Sequence, residues 1–177
     1  MQKITVGFIA LGMLVSLWLI LKPSDQSPSN QSEVINKSHS LKRRDFSLPD
    51  INGTIQPFSQ WNDKVVLLNF WATWCPPCRR EMPDFIDVYE RYKDQGFVVV
   101  GVGIDDEKKV AEFVDHLGVS YPILVGGRTA MKVSHLYGNR HGALPYSIII
   151  DRNGVIRYRA GGFMPKNTLI NQITPLL

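Results

Sequence analysis

The chain has 177 residues, 44% of them hydrophobic, which suits one domain with a packed core and a small appendage. Its formal charge of +4 is no nucleic-acid signature. Lys3 and Lys22 flank an apolar run, and the other eighteen cationic residues exceed the sixteen acids by only two, in scattered pairs without interleaved aromatics.

In chain order, the uncharged run from Ile4 to Leu21 comes first. As a helix its 18 residues would rise about 27 Å, near the hydrocarbon thickness of a bilayer. A cleaved signal peptide is the competing reading. The run ends in the bulky residues Leu17-Trp18-Leu19-Ile20-Leu21, so it favours an uncleaved signal anchor over residues 1–22. Lys3 argues for a cytoplasmic N-terminus and Lys22 weakens that bias. Residues 23–40, rich in Ser with Pro, Asn and Gln, read as a flexible tether, so the domain is expected over residues 41–177.

Phe46 to Asp50 and Ile51 to Thr54 suggest a short hairpin, with Asn52-Gly53 supplying the positive φ angles of a tight turn. Val65 to Phe70 is an apolar run of the kind that forms a strand buried on both faces. A helix should start at Cys75, with Met82, Phe85, Ile86 and Tyr89 on one face and a kink at Pro83. Phe97 to Val102 predicts a second buried strand. A helix follows from about Asp106, carrying Val110, Phe113, Val114 and Leu117 on one face behind the acidic start Asp105-Asp106-Glu107. A shorter helix spans roughly Thr129 to Tyr137. Ser147 to Ile150 and Val155 to Arg159 flank the hairpin signal Asn153-Gly154, and a last helix covers about Asn167 to Ile173. The order β-α-β-α-β-β-α behind an N-terminal hairpin is an α/β architecture, a mixed sheet with helices on both faces.

Two cysteines, Cys75 and Cys78, are all the chain has. Such a pair can be a redox dithiol, half of a zinc site, or coincidence. A bridge closing so small a loop constrains the unfolded chain little, which argues against a purely structural disulfide. The strand before and the helix after favour the redox reading. Thiol–disulfide exchange needs a thiolate that attacks an outside sulfur and a second thiol that resolves the mixed disulfide. At a helix start the first sulfur lies at the exposed end, where unpaired N–H groups and the helix dipole favour its thiolate. Pro76 and Pro77 fit the first turn, and Arg79 and Arg80 add positive potential. Cys75 is thus the expected nucleophile and Cys78 the resolving thiol, with no cofactor beyond their own disulfide.

The stretch Asn69-Phe70-Trp71-Ala72-Thr73-Trp74-Cys75-Pro76-Pro77-Cys78-Arg79-Arg80-Glu81-Met82-Pro83 resembles the active-site segment of the TlpA/ResA/CcmG (DsbE) family of membrane-anchored, thioredoxin-like thiol–disulfide oxidoreductases. The likeness extends from about Asp45 to Leu177, through Leu144-Pro145 and Asp151-Arg152-Asn153-Gly154. It implies a thioredoxin-like fold and a soluble domain in the periplasm or on the outer face of a bacterial inner membrane. It also implies a reductase of protein disulfides, with apocytochrome c or copper-site proteins as clients and a DsbD- or CcdA-type membrane protein as electron donor.

By the same resemblance Pro145 is cis and faces the cysteines, leaving the Leu144 backbone to pair with an extended client. Trp74, Pro76, Leu144 and Pro145 are the expected substrate contacts. Glu81 matches an acidic residue near the family's active site, placed to tune a thiol or relay a proton. Two positions depart from relatives. Asn69 stands where thioredoxin has a buried carboxylate, and Tyr146 stands where CcmG-type proteins have Glu, which weakens a dedicated cytochrome c role.

Other readings differ at named positions. A peroxiredoxin needs Thr and Pro where Ala72 and Leu68 stand. A Sco-like copper metallochaperone spaces its cysteines by three residues, with His135 and His141 as the available third ligands here. An oxidant or isomerase would use the same fold and dithiol.

Overall fold

The computed structural model describes residues 41–177. The readings of residues 1–22 as an anchor and 23–40 as a tether lie outside that range. Among the described residues no helix is long and apolar enough to cross a membrane.

The elements are β1 (Ser47–Pro49), β2 (Ile55–Pro57), β3 (Val65–Trp71), α1 (Pro76–Tyr92), β4 (Phe97–Gly103), α2 (Glu107–Leu117), β5 (Ile123–Val125), α3 (Gly127–Leu136), β6 (Tyr146–Ile150), β7 (Ile156–Gly161) and α4 (Lys166–Ile173). β1 and β2 pair as a separate antiparallel hairpin; the main sheet has the order β5-β4-β3-β6-β7. β4 runs parallel to β3 and to β5, whereas β6 is antiparallel to β3 and to β7, so the sheet is mixed as expected.

β3 and β4 are buried at every position, consistent with their unbroken apolar sequences. Alternation divides β3 between two cores. Val65, Leu67 and Trp71 pack with Met82, Phe85 and Val88 of α1, Val110 and Val114 of α2, and Leu169 and Ile173 of α4. Val66, Leu68 and Phe70 face Leu48, Phe58, and Ala130 and Val133 of α3. The two-faced cover of the sheet is therefore α1, α2 and α4 on one side, and α3 with the hairpin on the other. The indole Nε1 of Trp71 is buried without a hydrogen-bond partner. It packs over Gly101, where a Cβ would lie 3.2 Å from that nitrogen and 2.8 Å from Ile123 Cδ1, so a larger residue would require Ile123 to shift.

Two sequence expectations need correction, the missing β5 and the φ angles of the Asn-Gly turns. β5 was absent from the expected order: three residues are too few to show a period, and pairing with β4 is what makes them a strand. As expected, Pro83 lies inside α1, with its ring on the exposed face, where solvent can reach the carbonyl left without a donor. The expected apolar face of α1 packs on the first core, with Met82 and Phe85 fully buried and Ile86 and Tyr89 partly so, and Val88 is buried there too. The Asn-Gly turns use positive φ only at the glycines, +77° at Gly53 and +74° at Gly154. The aspartate that opens each turn accepts two backbone N–H groups on one carboxylate oxygen.

Candidate active site

β3 ends at Trp71, and Ala72-Thr73-Trp74 carry the chain over the sheet edge to Cys75, the N-cap of α1. Cys75 has extended backbone angles, φ −90° and ψ 106°, and its Sγ accepts from the Cys78 N–H at 3.3 Å. Cys75 and Cys78 are joined in a disulfide, with their Cα atoms 5.3 Å apart. Pro76 and Pro77 occupy the first turn, where a missing donor costs nothing. The expectation of an exposed first sulfur is corrected: Cys75 is only 3% exposed and Cys78 is fully buried. Trp74 beside Cys75 is 65% exposed and Pro76 is exposed too.

The preceding loop is pinned to the end of β4. The Ile104 N–H donates to the Trp71 carbonyl at 2.8 Å, and the Thr73 hydroxyl donates to Asp105 Oδ2. Asp106 caps α2 by accepting from the Lys108 and Lys109 N–H groups.

Glu81, one turn after Cys78, is fully buried. Its Oε1 accepts from Asn69 Nδ2 at 2.9 Å and its Oε2 from the Met164 N–H at 2.9 Å. Burial pushes its carboxyl up to about 7, against the smaller opposing effect of those two hydrogen bonds. Asn69 also donates to Ser147 Oγ at 2.9 Å, and the two residues sit directly opposite each other in the β3–β6 register. Asn69 is thus the amide that holds the buried acid.

Leu144-Pro145 is cis, at the start of β6, the neighbour of β3. Hydrogen bonds engage the backbone on either side of Leu144: Ala143 exchanges two with the Asn139 side chain, and the Pro145 carbonyl accepts from the Gly162 N–H. The Gly162 to Met164 loop is tied in this way to both Pro145 and Glu81. Tyr146, where a glutamate was the point of comparison, is buried and donates its hydroxyl to the Tyr137 carbonyl at 3.2 Å.

The sequence reading passed over Thr73, Asp105, Ser147, Phe163 and the Met164 amide. Ser147 had a signal, a lone polar residue in an apolar strand, as Asn69 is in its own. The Met164 contact is made by backbone and has no side-chain signature. His135 and His141 are exposed, and no cluster of metal-ligating side chains occurs among the described residues.

A dithiol at the start of a helix that follows the central strand, flanked by a cis X-Pro bond opening the neighbouring strand, defines a thioredoxin-like thiol–disulfide site. The chain belongs to the AhpC/TSA family, whose model matches residues 41–159. It is 35% identical over 126 residues to the thiol-disulfide oxidoreductase ResA of Geobacillus kaustophilus, a match covering 71% of this chain and 70% of that protein. ResA of Oceanobacillus iheyensis is 35% identical over 140 residues, 74% of this chain and 70% of that protein. A crystal structure from Chlorobium tepidum, described as a thiol:disulfide interchange protein DsbE, aligns with TM-score 0.70 and 33% identity over 76% of this chain and 94% of that one. The chain is a thiol–disulfide oxidoreductase.

Proposed function

We propose that the chain reduces disulfides of client proteins outside the cytoplasm, held at the membrane by Ile4 to Leu21. Cys75, as thiolate, attacks one client sulfur; a mixed disulfide forms and the first client thiolate leaves. Cys78 then loses its proton, attacks Cys75 Sγ, closes the Cys75–Cys78 bond and releases the second client thiolate. Two electrons have passed to the client, and a membrane dithiol donor of the DsbD or CcdA type restores the reduced state.

The observation that carries the direction is the buried Glu81 one turn from Cys78. Groups three apart on a helix have Cβ atoms about 5–6 Å apart. An ionised Glu81 opposes a thiolate at Cys78, while the helix N-terminus favours one at Cys75. The reduced form therefore gains little from ionising its second thiol, and the dithiol is a ready donor of electrons. Glu81 is also the proton acceptor nearest in sequence for Cys78, and its carboxyl at about 7 suits that exchange at neutral pH.

Trp74, Pro76, Leu144 and Pro145 form the client surface, on which an extended peptide pairs with the Leu144 backbone. Apocytochrome c and copper-site proteins are the client classes carried over from the resemblance. Insulin reduction by the full chain is the direct test, with a reducing potential measured by equilibration against dithiothreitol. Equal rates for wild type and Cys75→Ser, or a potential near that of glutathione or above, would refute the reading.

A further inference from the structure

Between α1 and α2, beside the dithiol, lies a groove of about 430 Å³ lined by Pro76, Arg79, Arg80, Phe113, His116 and Leu117. It begins at Pro76, the residue next to Cys75, so a protein joined to Cys75 through a mixed disulfide passes close to it. Phe113 and Leu117 are half-buried and supply an apolar floor; Arg79, Arg80 and His116 are exposed and supply a basic rim. Strand order puts this groove and Leu144 on opposite flanks of β3, since α2 follows β4 and Leu144 precedes β6.

The two arginines are held but not neutralised. Among the described residues neither has a carboxylate within salt-bridge distance. Arg79 lies over the Phe113 ring, 5.6 Å from its centroid, and Arg80 lies over Phe163 at 5.3 Å. Stacking uses one face of each guanidinium and leaves its edge N–H groups free for a bidentate carboxylate. Of the acids around the start of α2, Asp105 is engaged by Thr73 and the Asp106 N–H, Asp106 by the Lys108 and Lys109 N–H groups, and Glu112 by Lys108 at 3.9 Å, while Glu107 lies beyond salt-bridge distance of Arg79 and Arg80.

Building on the reductase reading, we propose that this groove docks the segment beside the reactive cysteine of a redox partner protein and selects a segment bearing an apolar side chain and one or two carboxylates. The apolar side chain covers Phe113 and Leu117, and the carboxylates meet Arg79 and Arg80. Rim charges of this kind act mainly on the rate of productive encounter.

The test uses the reduced full chain and two synthetic peptides, each a symmetrical disulfide dimer. In one, the cysteine is followed by Leu and two Glu; in its twin, by Leu and two Lys. Taking the ratio of the two rates within each protein cancels any effect of the arginines on Cys75 itself. The expected result is a preference of about fivefold for the Glu peptide. That preference falls to about one at roughly 1 M salt, falls to about one in Arg79→Gln/Arg80→Gln, and returns in Arg79→Lys/Arg80→Lys. A wild-type ratio of one, or a preference that persists in the glutamine variant, overturns the proposal. If neither peptide is reduced, the reductase reading fails and the groove proposal falls with it.

Discussion

Both carboxylate oxygens of Glu81 accept from fixed donors, Asn69 Nδ2 and the Met164 N–H, in a site without solvent. Burial still wins, and the folded-state carboxyl sits at about 7 against an ordinary 4.5. The folded chain therefore holds the proton more tightly than the unfolded chain does. Stability is greatest at and below about pH 4.5 for this group and declines as pH rises to about 7, by up to about 3 kcal/mol. Denaturant unfolding of the oxidised protein across that range should show the decline, and Glu81→Gln should flatten it. The Gln amide faces one of the two donors with an N–H of its own, so the variant starts lower by about 1–3 kcal/mol. The same substitution should move the thiol titration of the reduced protein to lower pH and make the potential less reducing. An unchanged slope together with an unchanged titration would remove Glu81 from the site. The acid was visible in the sequence three positions after Cys78. Its burial was not, because that depends on a loop more than eighty residues further along the chain.

Two turns share one construction. In Asp50-Ile51-Asn52-Gly53-Thr54 the aspartate Oδ1 accepts from the Asn52 and Thr54 N–H groups, and in Asp151-Arg152-Asn153-Gly154-Val155 the Asp151 Oδ1 accepts from the Asn153 and Val155 N–H groups. Each turn also bonds the aspartate N–H to the carbonyl four residues on, and the glycine N–H back to the aspartate carbonyl. Asn-Gly was the signal legible in the sequence, but the aspartate closes the loop, and only the glycine takes positive φ. Asp151 is buried and also holds the Arg157 guanidinium, with both its Nε and an Nη 2.6 Å from Oδ2. Asp151→Ala leaves these donors unmet and should lower stability by about 2–3 kcal/mol in urea unfolding. Asp50→Ala, on an exposed turn, should cost less. Asp50 Oδ2 also accepts from Gln56 Nε2 at 2.8 Å, so equal losses would show that the buried Arg157 contact contributes no more than that exposed one. β5 makes the complementary point: no local pattern in Ile123 to Val125 separates strand from loop, and the edge of β4 makes the choice.

For the whole molecule, the asymmetry of the dithiol is what can be tested. Cys75 caps α1 next to exposed Trp74 and Pro76, whereas Cys78 is fully buried one turn in. Reduced Cys78→Ser should accumulate mixed disulfides between Cys75 and clients offered in the disulfide form, visible as mass adducts on non-reducing gels. Cys75→Ser should accumulate none, and adducts on Cys78 instead would reverse the assignment of attacker and resolver.

The local sequence by itself determined the buried central strands, the helices and their starts, and the dithiol at the head of α1. Each of these follows from periodicity, capping residues and spacing within a few turns of chain. The cis Leu144-Pro145 bond came from a resemblance that runs the length of the domain. Only the tertiary structure decided that Asn69 and Ser147 face each other, that Glu81 is sealed beneath a distant amide, and that two arginines flank the dithiol without carboxylate partners among the described residues. These depend on strand register and on which loops meet, and a buried charge or an unpaired one exists only once the groups that could screen it have taken their places.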